Sequence, residues 1–271
     1  KMQCRFIDTG ANDAYLNMAI DEALLKYCQI PVLRVYQWKP SAISVGYNQD
    51  VQKEISVEYC KKNDIDIVRR STGGKAIFHD KEITYSFILP ENLNLLPKEI
   101  NESYREIANA LVLALKKIGI EAEIKKAPER IETPICFNSS NWYELLVNGK
   151  KISGSAQRRM NGKMLQHGSI LIDFDYNKNG SLFNSNNLVD NIDNFKGRIT
   201  SIKNELNNIN NNKKINYKKF AEAIKFGFKE NFNFNIFDDK LNNEEIKLAE
   251  KLKKEKYETE EWNYKLIAKT I

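Results

Sequence analysis

The chain has 271 residues, 42% of them hydrophobic, and 42 Lys and Arg against 36 Asp and Glu leave a net charge of +6. That supports one large domain, or a domain with an appendage, and excludes wholesale disorder. The mild positive charge, without a dense Lys/Arg stripe interleaved with aromatics, excludes a dedicated nucleic-acid binder and suits an acidic partner surface.

In chain order, residues 13–27 are predicted as a helix. Ile20, Ala23, Leu24 and Tyr27 recur at helical spacing, Asn12 or Asp13 can cap it, and Pro31 ends it. Residues 33–38 and 42–47 read as two strands around Lys39-Pro40-Ser41, and 51–62 as a short helix. A strand over 65–70 delivers the segment Arg69-Arg70-Ser71-Thr72-Gly73-Gly74-Lys75, followed by Ala76 to Asp80 and a strand over 83–89. Residues 104–118 form an amphipathic helix and 121–125 a strand. Tyr143, Leu145 and Val147 alternate as a half-buried strand does. Asn148-Gly149 and Asn161-Gly162 are then hairpin signals, because both central residues of a type I′ turn need positive φ. The result is a three-stranded antiparallel meander over 143–173, with Val147 facing Lys150 and Leu146 facing Lys151. By the period of two, Lys151, Ser153, Ser155 and Gln157 share a face, unless Gly154 or Gly168 bulges the strands and breaks that register. Residues 177–212 are crowded with asparagine and read as surface loops and linkers between helices. Helices are predicted over 217–232 and 243–254.

Two segments carry chemistry. Gly73-Gly74 after a strand lets backbone N–H groups approach a ligand, and Arg69, Arg70 and Lys75 make the loop cationic. A charged turn with glycines for geometry is an equal reading. The loop matches neither GxxxxGK[ST] nor GxGxxG, so it does not argue for a nucleotide. Cys136 sits in a loop rather than in a periodic apolar segment, ahead of a meander that can return Lys151 to its side. A cationic neighbour stabilises thiolate, the nucleophilic form. Cys4, Cys28 and Cys60 lie in the N-terminal strand or helices and read as structural. The four cysteines have no CxxC spacing and frame no disulfide scaffold, which points to a reducing cytoplasm. His79 and His167 are the only histidines. Each reads as a structural hydrogen-bonding residue or a general base. Neither has metal-site spacing, so no metal is predicted. No leader pattern and no apolar run of membrane length is present, so the expectation is a cytoplasmic protein with no membrane partner.

Taken together, several segments resemble the lipoate-protein ligase and octanoyltransferase superfamily, whose catalytic domain is also similar to that of biotin-protein ligases. These are residues 17–24 (NMAIDEAL), 33–38 (LRVYQW), 44–49 (SVGYNQ), Arg69 to Gly74 with His79-Asp80, 151–157 (KISGSAQ) and 166–171 (QHGSIL). The segments 33–38 and 44–49 resemble the family's first hairpin. The Ile135-Cys136-Phe137 segment resembles the acyl-accepting cysteine of its transferases. Lys75 stands where the ligases usually carry a third glycine, and residues 82–86 (EITYS) resemble the transferase version.

The resemblance implies an α+β fold of mixed and antiparallel sheets with flanking helices. Residues 1–213 would be the catalytic domain and 214–271 a helical extension packed on it. It implies that Cys136 takes an acyl group as a thioester and that Lys151 tunes its thiol. Substrate would be bound by Arg70, Thr72, Gly73, Gly74, His79, Tyr85, Gly154, Ser155, Ala156, Gln157, His167 and Gly168. Ile77, Phe78 and Tyr85 are candidates for the acyl slot. The implied reaction transfers octanoyl from acyl carrier protein to a lipoyl-domain lysine, as on the glycine cleavage H protein, without a cofactor. Thioester exchange is nearly isoenergetic and amide formation is downhill, so no ATP is needed, and the two carriers visit in turn. Three alternatives stay open: an ATP-dependent lipoate-protein ligase, an amidotransferase between lipoyl domains, and a non-enzymatic binding module.

Overall fold

The computed structural model describes residues 1–125, 144–183, 188–209 and 215–265. Strand β1 (Gln3–Asn12) leads into helix α1 (Ala14–Tyr27), whose N-cap Asp13 accepts from the Leu16 amide. Strand β2 (Val32–Trp38) and strand β3 (Ala42–Val45) follow as expected, but they do not form a hairpin. β2 pairs with β1, while β3 leaves for a separate sheet. The predicted helix over 51–62 is two short ones, α2 (Val51–Glu54) and α3 (Val57–Lys62). Between them Ile55 is extended and bridges Phe183, a long-range contact that local periodicity does not report. Next come β4 (Asp66–Arg69), β5 (Ile77–His79), β6 (Glu82–Pro90) and α4 (Ile100–Lys117). β7 (Glu123–Ile124) is shorter than predicted.

The meander is present as β8 (Leu145–Val147), β9 (Lys150–Met160) and β10 (Lys163–Leu171). Asn148-Gly149 and Asn161-Gly162 turn it with φ of 51°, 74°, 52° and 70°, the double left-handed geometry of the type I′ turn. Leu146 faces Lys151 and Val147 faces Lys150, but Leu145 faces Ser153, so Ile152 is an extra residue on β9. This bulge breaks the strict alternation from Lys151 to Gln157. The asparagine-rich region contains α5 (Tyr176–Leu182), α6 (Leu188–Arg198) and α7 (Ile202–Asn208). Their core-facing Leu182, Phe195 and Ile202 carry the helices, Asp175 and Ser201 cap α5 and α7, and Asn179 is itself buried. α8 (Tyr217–Phe232), β11 (Asn235–Asp239), α9 (Asn243–Leu252), a π-helical turn (Lys253–Tyr257) and α10 (Glu260–Tyr264) complete the order.

The larger sheet runs β11-β1-β2-β6-β10-β9-β8-β7, and the smaller runs β4-β3-β5. β1 is parallel to both neighbours, and the rest of the larger sheet is antiparallel. Alternate residues divide its faces. Leu33, Val35, Ile83, Tyr85 and Phe87 pack with α4 and α8. Val32, Tyr36, Trp38, Ile88 and Leu165 pack with α1. The fold is therefore α+β with mixed sheets and flanking helices, as the resemblance implied. β11 was not anticipated: its sequence, NIFDD, is half exposed at the sheet edge and carries no strong alternation. Among the described residues no helix is long and apolar enough to cross a membrane.

Candidate active site

The face of the larger sheet that carries Tyr36, Trp38, Thr84 and Ser169 meets the smaller sheet's Ser44, Ile77 and His79. They line a narrow cavity of ≈ 20 Å³, completed by Met18, Arg70, Ala156, His167 and Gly168. That is room for about one water molecule, so a ligand of the size that pockets of about 300–1,000 Å³ hold has to widen it on entry. His79 forms one wall. Its ring stacks on Trp38 with centroids 3.9 Å apart, and Nε2 lies 2.8 Å from Ser44 Oγ. Burial holds its imidazole below the ordinary value of 6.5, although Glu82 pulls the other way from 3.5 Å. His79 is therefore a neutral wall at neutral pH.

Behind the pocket lie two buried carboxylates. Asp21 projects from α1 and accepts from Arg34 Nη1 (2.6 Å), Tyr36 Oη (3.0 Å) and Ser86 Oγ (2.7 Å), with His167 Nδ1 at 3.2 Å. Burial pushes its carboxyl up, but Arg34 and His167 outweigh that and leave it below the ordinary value. A buried carboxylate with this many donors stays ionised. Glu82 accepts from Ser169 Oγ at 2.6 Å and from Thr84 Oγ1 at 2.8 Å, and Thr84 in turn accepts from Trp38 Nε1 at 2.8 Å. These contacts fix the rings that shape the pocket.

The ligand loop is braced by its arginines rather than charged by them. Arg69 is fully buried, and its guanidinium donates to the carbonyls of Gly46, Tyr47, Gln49, Trp262 and Asn263. Arg70 donates to the carbonyls of Ser44 (2.9 Å), Gly73 (2.7 Å) and Lys75 (2.7 Å). Thr72 Oγ1 lies 2.6 Å from His167 Nε2, which joins the loop through His167 to Asp21. A Cβ on Gly46 would stand 1.9 Å from the Gly74 carbonyl oxygen, so only glycine allows the two loops to touch.

The predicted residues thus separate into groups. Arg70, His79, Ala156, His167 and Gly168 line the inner pocket. Gly73, Gly74, Ser155 and Gln157, with Ala156 again, line an outer one. Thr72 stands behind His167. Tyr85 lies on the opposite face of the sheet. Its hydroxyl pairs with Ser155 Oγ at 2.8 Å and accepts from Gln166 at 2.8 Å, and burial pushes its phenol up to about 12. Gly154 abuts Gly168: a Cβ on Gly168 would stand 2.8 Å from the Gly154 carbonyl oxygen and 2.4 Å from Ser155 Oγ. Of the acyl-slot candidates, Ile77 lines the pocket, whereas Phe78 packs in the smaller sheet's core. Lys151 lies outside both pockets. Its Nζ is 2.5 Å from Glu144 Oε1, and the two side chains are 4% and 5% exposed. Cys136 lies outside the described residues. Burial raises the thiols of Cys4 and Cys60 to about 12 and that of Cys28 to about 11.

Sequence reasoning missed Asp21, Arg34, Trp38, Glu82 and Glu144. A signal existed for the first two. Asn17 and Asp21 sit four apart within an apolar helical stripe, and Arg34 alternates with apolar residues in a strand, so both positions face inward. Among the described residues no cluster of three or more His, Cys, Asp or Glu side chains is placed to hold a metal ion.

The model of the lipoyl protein ligase A/B catalytic domain matches residues 13–229. The octanoyltransferase LipM of Staphylococcus aureus is 38% identical over 274 residues, covering 96% of this chain and 98% of that one. That of Bacillus subtilis is 38% identical over 275 residues with the same coverage. Among solved structures, a chain of the archaeal lipoylation system of Thermoplasma acidophilum, a bipartite lipoate protein ligase and its E2 lipoyl domain, superposes with a TM-score of 0.81 at 23% identity, covering 100% of this chain and 99% of that one. A lipoate-protein ligase A bound with ATP gives 0.81 at 24% identity, covering 98% and 100%. At such identities the structures speak for the fold alone. By the extent of the family match and the full-length similarity to its octanoyltransferases, the chain belongs to the lipoyl protein ligase A/B catalytic domain family.

Proposed function

We propose that the protein is an acyltransferase that moves an octanoyl group from the thioester of an acyl carrier protein to a lysine amine of a lipoyl-domain protein such as the glycine cleavage H protein. In the first step the Cys136 thiolate attacks the thioester carbonyl. A new C–S bond forms, the bond to the carrier's sulfur breaks, and that thiolate leaves and takes up a proton. In the second step the neutral acceptor amine attacks the Cys136 thioester. An amide C–N bond forms, the C–S bond breaks, the nitrogen loses a proton and the Cys136 thiolate is restored. Lys151 stabilises that thiolate with its ammonium, and Glu144 holds Lys151 in place between turnovers.

The observation that carries this reading is the inner pocket. It is small and walled by the Trp38–His79 stack, Tyr36, Met18 and Ile77, with its histidine neutral. Its apolar wall suits an acyl chain, whose entry has to widen a cavity that holds about one water molecule when empty. Full-length similarity to octanoyltransferases supports the same reading. The second reading, ATP-dependent ligation of a free acid, has the fold likeness to an ATP-bound ligase behind it. The two are separated by incubating the protein with octanoyl-acyl carrier protein and an apo lipoyl domain, with no ATP. Octanoylation of the domain lysine is expected. Modification that appears only with ATP and free octanoate or lipoate would overturn the transferase reading.

A further inference from the structure

The outer pocket has a different chemistry from the inner one. Gly73, Gly74, Asn101, Tyr104, Ser155 and Gln157 line an open-mouthed space of ≈ 270 Å³. Ala156 belongs to both pockets. A Cβ on Gly74 would stand 3.9 Å from the Ala156 Cβ, so the partition between the pockets is built from the two smallest residues. The lining is polar but uncharged. It carries two carboxamides, two hydroxyls and glycine backbone, with Arg159 Nε bonded to Gln157 Oε1 at 3.2 Å behind it, and no Asp, Glu, Lys or Arg is among the described lining residues. A separate pocket makes the contrast, since Glu91, Lys98 and Arg159 line it. Part of the wall is set in advance. Gln157 Nε2 donates to Ser103 Oγ (2.8 Å) and Gln166 Oε1 (3.0 Å), and Ser155 Oγ is held by Tyr85 at 2.8 Å.

We propose that this outer pocket seats the neutral, two-amide pantetheine arm on which an acyl carrier presents its thioester, with Asn101 on α4 as a binding residue for the arm. The proposal rests on the carrier-thioester reading above. An uncharged wall matches an amide chain, which exchanges hydrogen bonds with water for hydrogen bonds with carboxamides and hydroxyls at little desolvation cost. The same wall fits the other two visitors poorly. A lysine ammonium would find no carboxylate among the described lining residues, and a polyphosphate would find no cation lining the wall itself. Position agrees with chemistry. An octanoyl chain lying in the inner pocket leaves its thioester near Ala156 and its arm outside, along Gly73 and Asn101.

The test compares two soluble donors. Octanoyl-pantetheine carries both amides of the arm, and octanoyl-N-acetylcysteamine carries only the first. The readout is the ratio of their kcat/KM values for acylating the enzyme. The wild type should favour octanoyl-pantetheine by about tenfold, the worth of one to two neutral hydrogen bonds. That ratio should fall toward unity in Asn101→Ala, an exposed position, and in Gly73→Val. At Gly73 an added Cβ meets nothing within 4 Å and the backbone is not in the left-handed region, so a branched side chain starts from open space at the pocket wall. Equal use of both donors by the wild type, or a ratio unmoved by either variant, would overturn the arm seat alone. A defect confined to transfer onto the lysine acceptor would overturn it too, by assigning the pocket to the acceptor. Acylation by neither donor would overturn the transferase reading and this proposal with it.

Discussion

Two residues hidden from the surface decide much about the pocket. The Asp21–Arg34 pair is 3% and 0% exposed and organises Tyr36, Ser86 and His167 around one carboxylate. Asp21→Asn should cost about 3–5 kcal/mol of stability, because it strands a buried guanidinium; urea unfolding of the two proteins measures it, and a loss below ~1 kcal/mol would show that Arg34 finds another partner. His79 makes a pH prediction. Burial depresses its folded pKa below 6.5, so as pH falls through that value the unfolded chain takes up a proton that the folded chain refuses. Stability is then lost as pH falls, by up to about 1.4 kcal/mol per pH unit from this group. The His79→Gln variant should show a shallower decline than the wild type between pH 7.5 and 5.5, and identical slopes would contradict a buried neutral imidazole. At this scale the sequence was informative for residues beside glycines and turns, whose local geometry is written in neighbours. It was not for Asp21, Glu82 or Glu144, whose partners come from distant strands and helices. Nor did it reveal that Arg69 and Arg70 would be consumed by backbone carbonyls, since an arginine beside glycines reads the same whether it faces a ligand or a loop.

Elements were legible where their signals are local. The type I′ turns at Asn148-Gly149 and Asn161-Gly162 fixed the meander, and strong amphipathicity placed α4 and α8. A bulge was expected at Gly154 or Gly168, but its position at Ile152 was not legible, because it lies beside Lys151, which bridges the distant Ile199 and whose carbonyl accepts from the Thr200 amide. The contact between α4 and α8 gives a prediction whose sign separates local from tertiary effects. A Cβ on Gly227 would stand 2.1 Å from the Ala110 carbonyl oxygen and 2.9 Å from the Ala114 nitrogen. Helix propensity alone favours Ala over Gly by about 1 kcal/mol. The close approach should reverse that, and Gly227→Ala should destabilise the protein by about 1–3 kcal/mol through forced separation of the helices. A raised melting temperature would contradict this packing. At the ligand loop the same reasoning makes Gly46→Ala more damaging to acylation than to folding, since it displaces Gly74.

Among the described residues the molecule packs into three hydrophobic clusters, and two of them draw on both ends of the chain. β11 pairs with β1 at the sheet edge, and Phe220, Ile224 and Phe228 of α8 pack with Phe87 and Leu111. α10 reaches the ligand loop, where Trp262 Nε1 donates to the Arg69 carbonyl and Asn263 accepts from the Arg69 amide. We therefore propose that residues 214–271 are an integral part of the catalytic domain's stability. Chemical unfolding should be a single transition whether followed by tryptophan fluorescence or far-ultraviolet dichroism, and a separate early transition would contradict shared cooperativity. The fold class was readable from the resemblance, because its motifs run through most of the chain; the contribution of the C-terminal end was not, because an edge strand with little alternation leaves a weak trace. The central claim is a thioester on Cys136, and intact mass tests it most directly. The protein is mixed with octanoyl-acyl carrier protein in the absence of ATP, then weighed and mapped by peptide. A gain of one octanoyl group, labile to hydroxylamine, located on Cys136 and missing from Cys136→Ser, is the predicted result. No adduct, with turnover appearing only on addition of ATP and free acid, would contradict the account and make the protein a ligase.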